Sequence, residues 1–347
     1  MSAVPVLDVR DLVVKFRLRG RILTAIRGAS LELHEGETLA IVGESGSGKS
    51  VFTKTFIGML DQNGWVDSGS IDFEGRDLTR NRTEEEWMGL RGRKIAMVFQ
   101  DPMTSLNPLV PVGRQIGEVL VLHKGMTPDQ ARTAVVELLD RVGIPEPASR
   151  SRQLPHEYSG GMRQRAVIAM AIAAGPRILI CDEPTTALDV TIQAQILKLV
   201  KALQKDFGFT TIYITHDLGV VANVADRVAV MYAGKIVETG TAGEIFYDAR
   251  HPYTWALLSS LPQLGVKGQN LYSIAGTPPN LFNEIKGDAF APRNPRAQKI
   301  DFEYEPPMFE VSPTHHAATW LLDPRSPKVD PPPAIQAMRA RYQGRAP

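Results

Sequence analysis

Apolar residues fall in short runs along this chain, and the runs alternate with stretches that repeat at helical spacing. Thr38 to Val42 reads as a buried strand leading directly into the glycine-rich stretch Gly43 to Gly48, with a helix from about Lys49 to Leu60. Ile95 to Phe99, Ile178 to Cys181 and Thr210 to Ile214 are further short apolar runs of the kind that fill strands covered on both faces. Residues 101–158 have fewer strand signals and more helical ones. Thr127-Pro128-Asp129-Gln130 is a helix start, with Thr127 as N-cap, Pro128 in the first turn and Gln130 closing a capping box. Ala131, Val135, Leu138 and Val142 then recur on one helical face, and Gly143 ends it. Ser159 to Ala174 and Thr191 to Phe207 read as helices. Residues 5–35 read as short strands broken by basic turns, and Val228 to Glu238 as a hairpin around Ala233-Gly234. Strands alternating with helices predict an α/β fold with a mostly parallel core sheet. The pattern adds an N-terminal antiparallel β region and a helical subdomain at about 101–175. After about His251 the texture changes. Residues 262–347 are rich in proline, including Pro331-Pro332-Pro333, and read as an irregular extension, which places the main domain at 1–255 and the extension at 256–347.

Composition changes this picture only by exclusion. The 347 residues are 43% hydrophobic and 22% charged, ordinary for a globular chain, and the net charge of +1 argues against a broad nucleic-acid or anionic-membrane surface. The single cysteine, Cys181, rules out a disulfide framework and any multi-cysteine metal site, and fits a reducing compartment. No apolar run reaches the roughly 18 residues that a membrane helix needs. The first ten residues lack a basic segment followed by a hydrophobic core. The expectation is a cytoplasmic protein whose link to any membrane runs through a partner.

Chemistry enters at Gly43-Glu44-Ser45-Gly46-Ser47-Gly48-Lys49-Ser50, which fits the phosphate-loop pattern G-x-x-x-x-G-K-[ST]. Its backbone N–H groups are expected to cradle phosphates at the positive end of the following helix, with Lys49 on the outer phosphates and Ser50 on Mg²⁺. The loop through Val51 is the candidate nucleotide site. A dinucleotide fingerprint fails, because Val51 stands where the third glycine belongs. Downstream, Ile178-Leu179-Ile180-Cys181-Asp182-Glu183 is an apolar strand ending in adjacent carboxylates. Asp182 is placed to hold the Mg²⁺ shell and Glu183 to polarise an attacking water. Such a strand end is common on its own; its place after a phosphate loop gives it weight. Cys181 reads as a small apolar strand residue.

Tyr158-Ser159-Gly160-Gly161-Met162-Arg163-Gln164 resembles the L-S-G-G-Q signature of ATP-binding-cassette (ABC) ATPases, departing from it at Tyr158 and Met162. By chemistry alone, Ser159 is an N-cap followed by glycines that expose backbone N–H groups, which already makes an anion site. The resemblance implies a P-loop NTPase of ABC type in which Ser159, Gly160 and Gly161 bind the γ-phosphate of ATP held by another subunit. It also implies that Gln100 senses Mg²⁺ and water, that Ala187-Leu188-Asp189 touches the partner, and that His216 contacts the γ-phosphate. Phe16 becomes a candidate base-stacking aromatic. The plainer alternatives are a loop histidine at 216 and a core residue at 16.

Further stretches are similar to ATPase subunits of oligopeptide and dipeptide importers, specifically the first of their two paired ATPases. They are Phe99 to Pro108, Pro155 to Arg165, Glu183 to Thr191, His251-Pro252-Tyr253-Thr254 and Gly276 to Leu281, and the match spans about 6–325. This resemblance implies an ATP-hydrolysing motor for peptide uptake at the cytoplasmic face of the inner membrane. Its partners are a second, related ATPase subunit (a homodimer being the alternative), two transmembrane permease subunits and, indirectly, an extracytoplasmic substrate-binding protein. Relatives carry nickel, opines or sugars, so a non-peptide cargo stays open. A soluble ABC ATPase acting on nucleic acid or ribosomes is the contrasting reading. It is disfavoured by the single phosphate loop and by the lack of inserted coiled coils or zinc-binding cysteines. Many relatives carry four cysteines in this extension, which can hold an iron–sulfur cluster. Here those positions are Asp288, Asn294, Asp301 and Thr319, so no cluster is expected. Packing of Phe290, Phe302, Tyr304, Phe309 and Trp320 is the substitute means of ordering the extension; the alternative scatters these rings over its surface.

Overall fold

The computed structural model describes residues 4–81, 83–185, 189–261 and 274–343. Its strands, in chain order, are β1 Leu7–Leu18, β2 Arg21–Leu33, β3 Thr38–Val42, β4 Gly64–Phe73, β5 Arg76–Asp77, β6 Ile95–Val98, β7 Ile178–Asp182, β8 Thr210–Thr215, β9 Arg227–Tyr232, β10 Lys235–Thr241, β11 Phe309–Ser312 and β12 His315–Ala317. The chain divides into two compact units. Met1–Leu33, Leu39–Thr79 and Thr215–Pro347 form the first, and His34–Thr38 with Arg80–Ile214 the second.

In the first unit, β1 and β2 are one long antiparallel hairpin rather than several short strands. The broken alternation has a local cause. Leu7 and Val9 are buried, then Leu12, Val14 and Phe16, so the period of two slips by one residue between Val9 and Leu12. Asp11 takes up the slip at φ 45°, and the Ser30 hydroxyl accepts its N–H at 2.9 Å. A bulge of this kind keeps one apolar face inward on both sides of the extra residue. The hairpin joins β4 and β5 in an antiparallel sheet of order β2-β1-β4-β5.

The same unit holds strands in the order β11-β12-β10-β9-β3, with β3 parallel to β9 and the other neighbours antiparallel. The helix after β3 spans Lys49–Thr55, shorter than expected, and Gly58 turns the chain at φ 60°. The extension holds more regular structure than its proline content suggests. It lays β12 and β11 along the open edge of β10 and ends in the helix Pro333–Gln343. The prolines are compatible with this because they stand before the helix or in its first turn, where no N–H partner is missed.

The second unit builds a parallel array β8-β7-β6 whose central strands are buried at every position, the reason they read as unbroken apolar runs. The helix Gly160–Ile172 packs on β6, and Val112–Lys124, Pro128–Arg141 and Val190–Phe207 pack on that helix. The Thr127–Gln130 capping box forms as expected.

The β9–β10 hairpin turns on Ala233 and Gly234, both at positive φ (46° and 79°). A Cβ at Gly234 would lie 2.4 Å from the Ala25 carbonyl oxygen. Gly234→Ala is therefore expected to cost about 1–3 kcal/mol, seen as a fall of several degrees in Tm on thermal melting. An unchanged melting curve would show that β2 yields at this approach.

Candidate nucleotide site

The phosphate loop begins where β3 can go no further alongside β9. Gly43 sits at φ 155°, and a Cβ there would meet the Met231 carbonyl oxygen at 2.1 Å, so no side chain fits. The Ser47 N–H donates to the Glu44 carbonyl at 3.2 Å, and the Ser47 carbonyl accepts the Gly234 N–H at 2.8 Å. Ser45 and Gly46 form the exposed crest of the loop, while Ser47 and Lys49 are buried and Gly48, Ser50 and Val51 are half-buried. The Lys49 ammonium donates to the carbonyls of Gly43 and Glu44 at 2.8 and 2.9 Å. These two bonds hold the ammonium inside the loop, on the carbonyls of its first two residues.

Glu44 is fastened twice from outside the loop. Its N–H donates to the Tyr253 hydroxyl at 2.7 Å, and its carboxylate accepts both arms of the Arg293 guanidinium at 2.6 and 3.0 Å. Sequence reasoning missed both partners. No local pattern marks them, because each lies more than 200 residues along the chain (separations of 209 and 249).

Also in this unit, His216 is exposed on the turn between β8 and the helix Leu218–Val224. The turn is set by Asp217, which donates its N–H to the Thr215 hydroxyl and caps the helix by accepting from Gly219 and Val220. Phe16 is only 8% exposed, with its ring against Gly64, where an added Cβ would fall 2.5 Å from Cε1. It lies within the β1–β4 pairing, with little of its face open.

In the second unit, β7 ends at the buried Asp182, and Glu183 follows at φ 45°, an unusual backbone state for a glutamate. The Glu183 N–H still reaches the Ile214 carbonyl at 2.9 Å, so the strained residue is pinned to β8. The Gln100 side-chain amide donates to the Glu183 carboxylate at 3.1 Å. Two residues singled out from separate parts of the sequence thus meet. Cys181 is fully buried, and burial together with neighbouring Asp182 pushes its thiol far above the usual range. Such a thiol packs and does not react.

The stretch around Ser159 also lies in this unit. Ser159 caps the helix Gly160–Ile172 by accepting the Met162 N–H at 3.3 Å, and both Ser159 and Gly160 are exposed. Tyr158, the departure from the usual signature, is buried, and its hydroxyl donates to the Arg150 carbonyl at 3.0 Å; burial pushes its pKa up to about 12. It anchors the turn, while Arg163 reaches back to the Pro155 carbonyl at 2.7 Å. Asp189 caps Val190–Phe207 through the Ile192 N–H at 3.0 Å. Ala187 and Leu188 lie outside the described residues.

At the four extension positions where many importer relatives carry cysteines, polar side chains are buried and already engaged. Asp288 accepts the Phe290 N–H at 2.9 Å, Asn294 that of Arg296 at 3.0 Å, Asp301 that of Gln298 at 2.6 Å and Thr319 that of Leu321 at 3.3 Å. Iron–sulfur clusters are held by thiolates, and this set of oxygens tied into turns does not fit one. The aromatic expectation holds only for some rings. Phe290 is buried against Tyr232 and Tyr253 at 5.4 and 5.3 Å, and Phe309 meets Trp320 at 6.1 Å. Phe302 and Tyr304 stay 55% and 63% exposed and do not join that packing.

Known proteins resemble this chain along most of its length. A family model described as ABC transporter matches residues 26–186, and one described as oligopeptide/dipeptide transporter, C-terminal region, matches 237–300. The chain is 60% identical to the oligopeptide transport ATP-binding protein AmiE of Streptococcus pneumoniae, over 95% of this chain and 93% of that one. It is 60% identical to the oligopeptide transport ATP-binding protein OppD of Bacillus subtilis, again over 95% and 93%. With the dipeptide transport ATP-binding protein DppD of Lactococcus lactis the identity is 55%, over 99% and 98%. Among solved structures, the ATP-binding cassette MJ0796, in a dimeric post-hydrolysis state bound to ADP and Pi, superposes with a TM-score of 0.61. Its identity is 26%, covering 68% of this chain and 98% of that one.

Asp288 supplies a pH test of the extension. Burial pushes its carboxyl up to about 7, reinforced by Asp301 and Glu305 and opposed by the Phe290 N–H and Arg27. A carboxyl whose pKa is raised by folding stabilises the fold below its unfolded pKa of about 4, and that contribution is lost as pH rises through about 7. Asp288→Asn keeps the acceptor and removes the charge. Its Tm gain over wild type is expected to grow from about pH 5 to about pH 8. A gain independent of pH would contradict the assignment.

Proposed function

Because this chain belongs to the ATP-binding subunits of oligopeptide and dipeptide ABC transporters, we propose that its phosphate loop, its acidic strand end and its exposed signature work as the ATP-hydrolysing half of a two-subunit motor driving peptide uptake. The observation that carries this reading is identity of 55–60% along almost the whole chain, extension included.

The residues divide the work as follows. Gly43 to Val51 wrap the phosphates of ATP with backbone N–H groups, and Lys49 moves from the loop carbonyls to the outer phosphates. Ser50, Asp182 and Gln100 are suited to hold Mg²⁺, which when bound spreads the charge of the phosphate oxygens. Glu183 polarises the attacking water. Its backbone is pinned to β8 and its carboxylate oriented by the Gln100 amide, so little reorganisation is needed. His216 contacts the γ-phosphate from its capped turn. Phe16, at 8% exposure, needs a shift of the β1–β4 pairing before a base can stack on it.

Ser159, Gly160 and Gly161 present N–H groups and a helix N-terminus at the surface, suited to the γ-phosphate of an ATP held by another subunit. Two such subunits then close on two ATP molecules, with Asp189 near the shared face. The partner is a related but different ATPase chain. Two permease subunits receive the motion, and a substrate-binding protein outside the membrane delivers cargo to them. No helix among the described residues is long and apolar enough to cross a membrane. As in its relatives, named transport ATP-binding proteins, the subunit works as a peripheral protein at the cytoplasmic face. The permeases meet the region around 101–158, where helices Val112–Lys124 and Pro128–Arg141 frame a largely apolar groove of about 990 Å³, with Val121 and Leu122 exposed on its lining. Residues 1–255 form the nucleotide-binding domain, with its helical subdomain at about 101–175, and 256–347 the extension.

Two substitutions test this division in the assembled transporter. Glu183→Gln should keep ATP binding while lowering turnover by about 10²–10⁴-fold; near-normal hydrolysis removes Glu183 from the role given it. Ser159→Arg should leave ATP binding by the isolated chain unchanged and reduce hydrolysis by the complex. Equal loss of binding in the isolated chain would place Ser159 at the chain's own nucleotide instead.

A further inference from the structure

Arg293 is tied to the phosphate loop more completely than an extension residue needs to be for packing alone. It ends a short 3₁₀ turn, Ala291–Arg293, and its side chain is only 5% exposed. Each of its five N–H donors has an acceptor. Two go to the Glu44 carboxylate at 2.6 and 3.0 Å, and one to the Tyr232 hydroxyl at 3.2 Å. The remaining two go to the carbonyls of Ala275 and Ile274 at 2.9 and 3.4 Å. The guanidinium also lies 5.8 and 5.9 Å from the ring centres of Tyr232 and Phe290. Those two rings and Tyr253 form one cluster, with Tyr232 and Tyr253 4.4 Å apart, and Tyr253 accepts the Glu44 N–H.

Glu44 is the residue next to Gly43, and its carbonyl is one of the two that hold Lys49. Its side chain and its N–H are both fastened to residues from beyond position 250, so the direction of its peptide group is fixed by the extension side of the unit. A buried, bidentate arginine–carboxylate pair is directional as well as strong. A loop that must aim several N–H groups at phosphate loses affinity when its first residues are free to rotate.

Resting on the phosphate-loop reading above, we infer that Arg293 is a positioning residue for ATP. Through Glu44 it holds the first part of the loop in its phosphate-binding shape, so that the C-terminal extension sets nucleotide affinity. A second strand of support comes from neighbouring ties of the extension to β2 and to the start of β10. Arg27 and Lys235 share Glu305 at 3.1 and 2.7 Å, the Thr24 N–H donates to the Leu281 carbonyl at 3.2 Å, and Arg21 stacks on Phe282 at 4.7 Å. The extension is thus braced beside the loop and able to act as its anchor.

The test is made in the assembled transporter, with ATP as the titrated ligand and with thermal melting of each variant. Arg293→Ala should raise the KM for ATP about tenfold while kcat changes less than about twofold. Arg293→Lys, which keeps the charge but not the paired geometry, should recover only part of that loss. Glu44→Gln leaves Arg293 bonded to the Ala275 and Ile274 carbonyls, so it keeps the extension's own tie and should reproduce the KM rise even where Arg293→Ala folds poorly. The double variant Glu44→Ala/Arg293→Ala should be no worse than Arg293→Ala alone. A KM left unchanged in Glu44→Gln, or single effects that simply add, overturns the inference and makes Arg293 an anchor of the extension only. Lys49→Ala separates two failures. If it abolishes ATP binding while Glu44→Gln does not move KM, the positioning role alone fails; if it binds ATP normally, the phosphate-loop reading fails and takes this inference with it.

Discussion

The first unit is organised around one close approach of backbone to backbone. β3 and β9 run so near each other at Gly43 that the Met231 carbonyl oxygen occupies the space of any side chain. The loop that follows therefore leaves β3 at a fixed point and in a fixed direction. The neighbouring hairpin repeats the constraint, because Gly234 passes its N–H to Ser47 from the end of β9. β10, at the other arm of that hairpin, carries β12 and β11 of the extension on its free edge. The phosphate loop is thus one end of a continuous run of backbone hydrogen bonds that finishes in the C-terminal strands.

The second unit uses helix caps and a strained residue to the same end. Ser159 and Asp189 each cap a helix while leaving that helix's first turn at the surface. Glu183 is held in a backbone state that costs on the order of 1–3 kcal/mol, and its N–H bond to β8 keeps it there. Strain of this kind is stable only where the surroundings over-determine it, and strands buried on both faces supply that. In this unit the groups proposed to meet phosphate and water are accordingly set at the ends of rigid elements.

Much of this was legible in the sequence because it is encoded locally. The phosphate loop, the acidic end of β7, the Thr127 capping box and the buried strands each follow from residues within a few positions of one another. Other features depend on contacts distant along the chain, and no local pattern signals them. Arg293 looks like one more basic residue in a proline-rich segment until the fold brings it to Glu44. The bulge at Asp11 disguised a single long strand as several short ones. β11 and β12 are too short to announce themselves, and they exist as strands because β10 offers an unpaired edge. The rings split for a similar reason. Phe290 is drawn under Tyr232 and Tyr253, whereas Phe302 and Tyr304 follow it on a short helix and its end that face outward. Hydrophobicity alone could not separate these cases.

Cys181 carries one more implication. It is the chain's one thiol, and it sits in β7 with no exposed surface and its ionisation strongly suppressed. To a thiol-directed label the folded protein is effectively cysteine-free. Single cysteines introduced at exposed sites such as the Ser45 crest or the Ser159 cap can carry spectroscopic probes without first replacing the native residue. The native thiol, in turn, becomes reactive only when β7 separates from its neighbours, so its rate of modification is a built-in clock for opening of the strand that presents Asp182 and Glu183.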